Sequence, residues 1–384
     1  MDTTIQLLPL QHHFDSFFDL MKEINIIENK ERIETLDGLN ELVDIPDYAF
    51  EQVKFPDGKF YLLPIKRDYA RLYRGEQKEF PSSKPTIYRE GISELNFIIS
   101  QIKLFEFEQM LNQHPVVKIL KKQHHFFIDT HGLAQHYGFK TDLMDFSSNP
   151  LVAGFFATCH RNSKTKKYEP YNETFKQKGV IYILLTNFFS VNATTSCFPI
   201  RWGNEINPIG LQPFKRPGLQ KAFSLKLSEK HDLRNYPGIF KYTFDYDSND
   251  AQYFFNFFEQ GKKVWINDDF SALANLIDNN DHYTYNSFHR AVVQLGIAKS
   301  RIKVIKTVLR SKGIMFRERI EYFPPKVYCK ILEKWDNSDR DDFFKAIFKR
   351  RKFSEKNGWE ECLSIDDIDE IDMLRIFQPN DKSN

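Results

Sequence analysis

The sequence lacks the short motifs by which common enzyme classes are identified. It contains no Gly-x-Ser-x-Gly elbow, no Walker phosphate loop and no Gly-x-Gly-x-x-Gly turn, which excludes the usual hydrolase, ATPase and dinucleotide-fold interpretations. It also lacks a His-Glu-x-x-His helix, a cysteine-rich knuckle and an EF-hand loop. Histidines cluster within 124–136, but a zinc site would need a further ligand at a suitable spacing. The sequence therefore predicts no metal site.

Paired cysteines, long apolar runs and a leader segment are absent as well. The four cysteines are far apart, without a Cys-x-x-Cys spacing, as is typical of reduced thiols in a reducing compartment. The densest apolar run is 151–158, whereas a membrane-spanning helix needs about 20 apolar residues. The first residues show no basic segment followed by an apolar one. We therefore expect a cytoplasmic protein with no membrane partner.

Neither sign of charge dominates the chain. The 54 basic and 52 acidic residues give a formal net charge of +2, so bulk electrostatics do not favour nucleic acid or an anionic surface. Two predicted C-terminal helices, which carry the basic residues of 301–312 and 345–352, could still face phosphates. The alternative is a solvated or internally paired surface, because 359–373 is acidic. A protein or nucleic-acid target bound through this region is thus one open interpretation.

Aromatic residues are abundant, with 37 Phe in the chain, and their large burial energy can support a wide core. Phe, Lys, Ile and Asn have AT-rich codons, so their frequency indicates a bacterial origin. Hydrophobic periodicity predicts an α+β protein with a mixed sheet. We expect a helical N-terminal segment at 1–60, a mixed region at 61–260 and a helical C-terminal region at 261–384, including a helix over 341–351.

Two groups of residues in the mixed region are candidates for a functional site. Tyr73-Arg74-Gly75 is predicted to end a strand, where a guanidinium can bind phosphate or carboxylate and glycine lets a ligand approach the backbone. The segment 133–153 then alternates polar and apolar residues directly before a helix with a strongly apolar face. Buried polar groups need partners, so these side chains must bond to each other, to the backbone or to a ligand. The candidates are Gln135, His136, Asp145, Ser147, Ser148 and Asn149.

These segments resemble the FRG domain, a family named for its Phe/Tyr-Arg-Gly motif. The resemblance lies in Tyr-Arg-Gly from 73, Gln-His-Tyr-Gly from 135, Thr-x-Leu-Met-Asp-Phe-Ser from 141 and Asn-Pro-Leu-Val-Ala from 149. The stretch 216–223 is similar to the closing block of the domain, with Ala222 where glycine is often found. The resemblance covers roughly 65–230.

The layout of the domain is in turn similar to ADP-ribosyltransferases of the Arg–Ser–Glu type, which implies their mixed-sheet core and NAD as the substrate. By order along the chain, Arg74 would hold the NAD phosphates beside Tyr73 and Gly75. Ser147 or Ser148 would support the nicotinamide ribose.

Gln220 departs from that pattern, because it stands near the position of the glutamate. A glutamine dipole replaces the full charge that stabilises an oxocarbenium-like transition state. Either Asp145 or Glu205 would then supply the charge, or the pocket would bind its ligand without turnover.

The resemblance therefore implies an ADP-ribosyltransferase-like bacterial effector or phage-defence protein, in which His136 orients a phosphate or transfers a proton. The alternative is a non-catalytic module that senses a nucleotide or another phosphorylated ligand. Each candidate also has a purely structural interpretation. Asp145, Ser147 and Ser148 could cap backbone groups, His136 could donate to a carbonyl, and Asn149 is typical of a turn.

Overall fold

A computed structural model describes most of the chain. The described residues are 8–36, 50–54, 59–64, 71–89, 91–162, 164–172, 177–186, 206–266, 268–348, 351–354 and 358–361.

The strands in chain order are β1 His13–Phe14, β2 Phe50–Lys54, β3 Phe60–Pro64, β4 Arg71–Glu76, β5 Leu143–Ser147, β6 Cys159–Arg161, β7 Tyr168–Pro170, β8 Gly179–Leu185, β9 Ile206–Pro208, β10 Ala222–Lys226, β11 Ile239–Phe244, β12 His282–Thr284, β13 Met315–Arg317, β14 Ile347–Phe348, β15 Arg351–Ser354 and β16 Gly358–Glu361.

The α-helices are α1 Phe17–Leu36, α2 Glu94–Gln113, α3 Pro115–Gln123, α4 Thr130–His136, α5 Pro150–Thr158, α6 Lys215–Leu219, α7 Ser248–Phe257, α8 Asp269–Asp278, α9 Tyr285–Gln294, α10 Lys299–Ser311, α11 Pro325–Lys334 and α12 Arg340–Lys345.

A seven-stranded mixed sheet forms the centre, in the order β1-β11-β8-β4-β5-β10-β9. Adjacent strands of this sheet are antiparallel, except for the parallel pair β1–β11 at one edge. Every residue of β8 is buried, as its continuous apolar sequence requires of a strand covered on both faces. The α+β class predicted from the sequence is confirmed. Among the described residues, none of the helices has the length and apolar character that a membrane crossing requires.

Helix α5 covers one face of the sheet next to the FRG motif. Asn149 caps it, since the Asn149 Oδ1 accepts a hydrogen bond from the Leu151 N–H at 2.9 Å, and Pro150 occupies the first turn. A Cβ on Gly75 would lie 1.9 Å from the Ala153 carbonyl oxygen. Glycine at position 75 therefore allows β4 and α5 to pack together.

One hydrophobic core joins the predicted mixed and helical regions. Side chains of α2, α3 and α4 pack against those of α8, α9 and α10, with Phe107 against Phe270 at a ring-centroid distance of 5.5 Å. The C-terminal helices thus cover the face of α2–α4.

Two sequence predictions about helices are corrected. The expected helix over 341–351 ends at Lys345, because Ile347–Phe348 pairs with β2 and Arg351–Ser354 pairs with β16. The N-terminal segment 1–60 contains α1, but its residues 50–54 form a strand. That strand pairs with 60–64, which the sequence predicts to be extended, in a β-hairpin. Only the β14–β2 pair joins segments that are far apart in the chain. The β2–β3 and β15–β16 pairs join near neighbours, but their short strands lack the alternation of apolar and polar residues that predicts a strand.

Candidate functional site

The central sheet opens between β4 and β5. β4 pairs with β8 along six residues, but it meets β5 only where Tyr73 faces Ser147. The two strands diverge past that pair, and a cavity of about 490 Å³ lies there. This volume is within the range of small-molecule pockets.

Most of the candidates named from the sequence line this cavity. Its walls include Tyr73, Arg74, Gly75, His136, Asp145, Ser147 and Gln220. Ser148 is buried but is not part of the lining. Glu205 lies outside the described residues. The motif blocks are thus brought together around one hollow, although they are separated by up to 147 positions in the chain (Tyr73 to Gln220).

Protein acceptors bind two of the three guanidinium nitrogens of Arg74. Its Nε donates to Glu76 Oε1 at 3.2 Å, and its Nη1 donates to the Asp145 carbonyl oxygen at 3.0 Å. Glu76 Oε1 also accepts a hydrogen bond from Ser83 Oγ at 2.7 Å, so the carboxylate is fixed in turn. No protein acceptor binds Nη2 in the described part of the chain. The guanidinium is oriented by Glu76 and keeps N–H donors for a ligand.

His136 and Asp145 form a second polar group. His136 is 3% exposed, and its Nε2 lies 3.8 Å from Asp145 Oδ1, just beyond hydrogen-bond range. Asp145 Oδ2 accepts a hydrogen bond from Gln135 Nε2 at 3.0 Å, which holds the carboxyl group beside the histidine. Both His136 Nε2 and Asp145 Oδ1 are buried without a hydrogen-bond partner.

Burial keeps the His136 imidazole neutral. Desolvation lowers its pKa, and the Asp145 charge and a side-chain hydrogen bond with Gln220 only partly oppose this effect. The Gln220 Nε2 donates to the Val264 carbonyl at 2.7 Å, so the Gln220 oxygen is the atom left to accept from the ring. Because Nε2 of His136 has no partner, we infer that Nδ1 carries the proton and that Nε2 presents a lone pair.

The serines have structural partners. Ser147 Oγ donates to the Gln220 carbonyl at 2.7 Å and accepts from the Asn149 N–H at 2.9 Å. Its hydroxyl therefore ties β5 to the segment before β10 and to the start of α5. Ser148 contributes its backbone N–H to the Lys221 carbonyl. Asn149, which the sequence marks as typical of a turn, caps helix α5.

Several lining residues were not singled out from the sequence. Lys84 and Arg89 add two cations near Arg74, and burial together with the Arg74 charge lowers the pKa of Arg89. Glu76 and Trp265 also line the cavity. Glu76 lies two positions after Arg74, so strand alternation, which puts both on one face, could have identified it. Lys84, Arg89 and Trp265 reach the cavity through loops, and no local pattern indicates that.

Arg216, the first residue of the 216–223 block, does not line the cavity but contacts residues that do. It is 4% exposed and donates to the carbonyls of Ile266 at 2.8 Å and His136 at 3.1 Å. Its guanidinium lies 4.5 Å from the Tyr137 ring centroid and 4.3 Å from that of Trp265. Arg216 thus joins the end of α4 to the segment that carries Trp265.

Unpartnered polar atoms are concentrated at this cavity. Buried side-chain atoms rarely lack a hydrogen bond in native proteins. In the described part of the chain, four such atoms belong to residues of the cavity wall, namely Glu76 Oε2, His136 Nε2, Asp145 Oδ1 and Trp265 Nε1. Such a concentration is typical of a site whose partners arrive with a ligand.

Comparison with known protein families gives one match. Residues 70–166 match the FRG domain, so the chain contains an FRG domain that runs from β4 to the β6–β7 hairpin. No curated protein and no solved structure matches the chain. The matched residues supply Arg74, His136 and Asp145, whereas Gln220 and Trp265 come from outside the match.

Proposed function

We propose that the FRG domain of this chain binds NAD in the cavity between β4 and β5 and transfers its ADP-ribose group to an acceptor. The observation that carries the proposal is the pair of unpartnered atoms, His136 Nε2 and Asp145 Oδ1, on the wall that also presents the Arg74 guanidinium. One cavity thus offers an anion site, a carboxylate and a neutral base.

The phosphates of the substrate fit the cationic end of the cavity. Arg74, Lys84 and Arg89 all line it, and the Glu76 carboxylate pairs with Arg74. The Lys84 Nζ donates to the Glu229 carbonyl, which fixes the ammonium but does not neutralise it. A diphosphate would accept charge-assisted hydrogen bonds from the guanidinium N–H groups that have no protein acceptor.

Asp145 is the carboxylate that supports bond cleavage in this proposal. The bond between ribose C1′ and the nicotinamide nitrogen breaks, and its electron pair leaves with nicotinamide. Positive charge then develops on the ribose. A carboxylate oxygen beside it stabilises that charge, and a group of this kind typically contributes about 10² to 10³ in rate. Asp145 thereby takes the role that Gln220, a neutral amide, cannot take.

His136 is the proton acceptor in this proposal. The acceptor group bonds to C1′ and loses a proton, which passes to the Nε2 lone pair and then to solvent. The lowered pKa keeps the ring unprotonated at neutral pH, as a base requires.

The test uses the full-length chain and NAD labelled on the adenylate phosphate, with nicotinamide release and labelling of acceptor macromolecules as readouts. D145N should reduce the rate by about 10² to 10³ while NAD binding is retained. R74A should abolish NAD binding. D142N is the matched control, because Asp142 is a nearby carboxylate that pairs with His131 and does not line the cavity, so its rate should equal the wild-type rate. Absence of both turnover and NAD binding would overturn the proposal.

A non-catalytic sensor is the second candidate. Gln220 favours it, since its amide is held by the Val264 carbonyl and offers no charge. In that case NAD or another phosphorylated ligand raises the melting temperature, the ligand is recovered unchanged, and R74A removes the shift.

A further inference from the structure

A basic surface lies on the C-terminal helices, away from the cavity. The stretch 282–317 contains eight Lys and Arg residues and no Asp or Glu, in a chain whose total charge is nearly balanced. The chain contains another long stretch without acids, 174–204, but that stretch has only three Lys and Arg residues, so the cations distinguish 282–317. The segregation provides a local positive field that the net charge of +2 conceals.

This stretch folds as two helices joined by a tight turn. α9 ends at Gln294, and α10 begins at Lys299, so the connection is 295–298. Gly296 has φ +62°, which is the left-handed conformation that such a turn requires. β12 and β13 flank the helices as a parallel pair. Two helices joined by a short glycine-containing turn are the arrangement of helix-turn-helix proteins, in which the second helix enters the DNA major groove.

α10 has one buried face and one exposed face. Ile305 and Leu309 are buried in the core, whereas Ser300, Lys303, Val304 and Thr307 are exposed at the spacing of a single helix face. Val304 is 63% exposed between the basic residues. A face of lysine, hydroxyl and small apolar side chains can contact phosphates, base edges and thymine methyl groups.

Five cations of this stretch have no protein partner in the described residues. Arg290 pairs with Glu108, Arg301 pairs with Glu94, and Lys306 lies over the Tyr285 ring. The others are exposed and are Lys299, Lys303, Arg310, Lys312 and Arg317.

We propose that α9 and α10 form a binding surface for duplex DNA, with the exposed face of α10 in the major groove. Three observations support the proposal: the absence of acidic residues from 282–317, the short turn between the helices, and the exposed cationic face of α10. The B-form major groove is wide enough for an α-helix, whereas that of A-form RNA is too narrow, so the geometry favours DNA. This surface does not depend on the ligand or the chemistry of the cavity.

The test measures binding of the full-length chain to a fluorescent duplex of about two helical turns. Contacts from the five free cations should give a salt slope of about −4.5, so affinity should fall roughly 500-fold between about 50 and 200 mM salt. K299A/K303A/R310A should reduce the magnitude of the slope by about 2.7. The matched control K22A/K230A/K262A removes three exposed lysines elsewhere and should bind like the wild type.

Three results would overturn the proposal. They are no binding at the lower salt, an unchanged slope in K299A/K303A/R310A, and duplex RNA or single-stranded DNA bound as tightly as duplex DNA. All six substituted residues are exposed, so both variants should melt at the wild-type temperature.

Discussion

At the scale of single residues, the cavity shows how one neighbour decides what a side chain can do. Arg74 is oriented by Glu76, which binds its Nε, while Nη2 stays available to a ligand in the described part of the chain. The Ser147 hydroxyl, by contrast, donates to the Gln220 carbonyl and accepts from the Asn149 N–H. Two residues of the same motif set thus differ in availability because of contacts a few ångströms away.

His114 is a residue whose environment has a measurable consequence for stability. It lies between α2 and α3, is 6% exposed, and packs edge-on against Phe214 and Phe323, each at 5.1 Å between ring centroids. Its Nδ1 has no hydrogen-bond partner. Burial lowers the pKa of His114 to about 3, so the folded protein holds this ring neutral in mild acid.

We predict a pH-dependent loss of stability from this histidine. In the unfolded chain His114 takes up a proton with a pKa of about 6.5, whereas in the folded protein it does so only near 3. The free energy of unfolding is therefore unaffected by this group above pH 6.5 and decreases as the pH falls from about 6.5 toward 3. The free energy of unfolding should fall by up to about 1.4 kcal/mol per pH unit in that window from this group. H114F should remove this part of the slope in urea denaturation, and the exposed-site control H231Q should retain it. Parallel pH profiles of H114F and the wild type would contradict the assignment.

At the scale of elements, the contact between β4 and α5 fixes the shape of the cavity. Gly75 is the point of closest approach, because a side chain there would overlap the Ala153 backbone. α5 also carries Val152 and Ala153 into the cavity wall. The glycine of the motif therefore has a packing reason, in addition to the ligand access expected from the sequence.

We predict that G75A displaces α5. Backbone cannot yield as a side chain can, so overpacking should cost about 1 to 3 kcal/mol or more of unfolding free energy. The increase in melting temperature that NAD causes should also be smaller in G75A than in the wild type. G218A is the matched control. Its Cβ would come closest to Leu211 Cδ1, the movable end of a side chain, at 2.8 Å, and the next atoms, at 3.5 and 3.7 Å, are at ordinary contact distance. Equal stability of G75A and G218A in chemical denaturation would count against this account.

At the scale of the whole molecule, the FRG domain and the C-terminal region are joined by a core and by Arg216. The guanidinium donates to the His136 carbonyl on one side, and to the Ile266 carbonyl and Ser271 Oγ on the other. The rings of Tyr137 and Trp265 lie against it. Folding of the C-terminal region therefore positions Trp265, which lines the cavity.

We predict that R216K loosens this junction. A single ammonium cannot reach three acceptors, and buried acceptors left without donors should cost roughly 3 kcal/mol in total. Amide hydrogen exchange should rise around Ile266 and Ser271. R310K, an exposed change of the same type, should alter stability by less than about 0.5 kcal/mol. Unaltered exchange at the junction in R216K would refute the proposed coupling.

Local patterns predicted much of the fold around the site. The apolar run 180–185 predicts a core strand, Asn149-Pro150 predicts the start of a helix, and Gly138 predicts a left-handed helix end. The structure has β8, α5 and a positive φ at Gly138 there, and each depends on near neighbours in the chain. Apolar periodicity predicts one helix over 93–120, whereas the structure has α2 ending at Gln113 and α3 beginning at Pro115. Proline favours the first position of a helix, which explains the break.

The sequence by itself determined the α+β class, the FRG motifs and the residues that carry charge and hydrogen-bonding groups, because composition, periodicity and motif spacing are local properties. Only the tertiary structure decided that β4 and β5 part after one residue pair, that Glu76 orients Arg74, and that Lys84, Arg89 and Trp265 complete the wall. Those outcomes depend on strand register and on packing between distant segments. The physical reason is that a side chain's partners are set by the folded backbone.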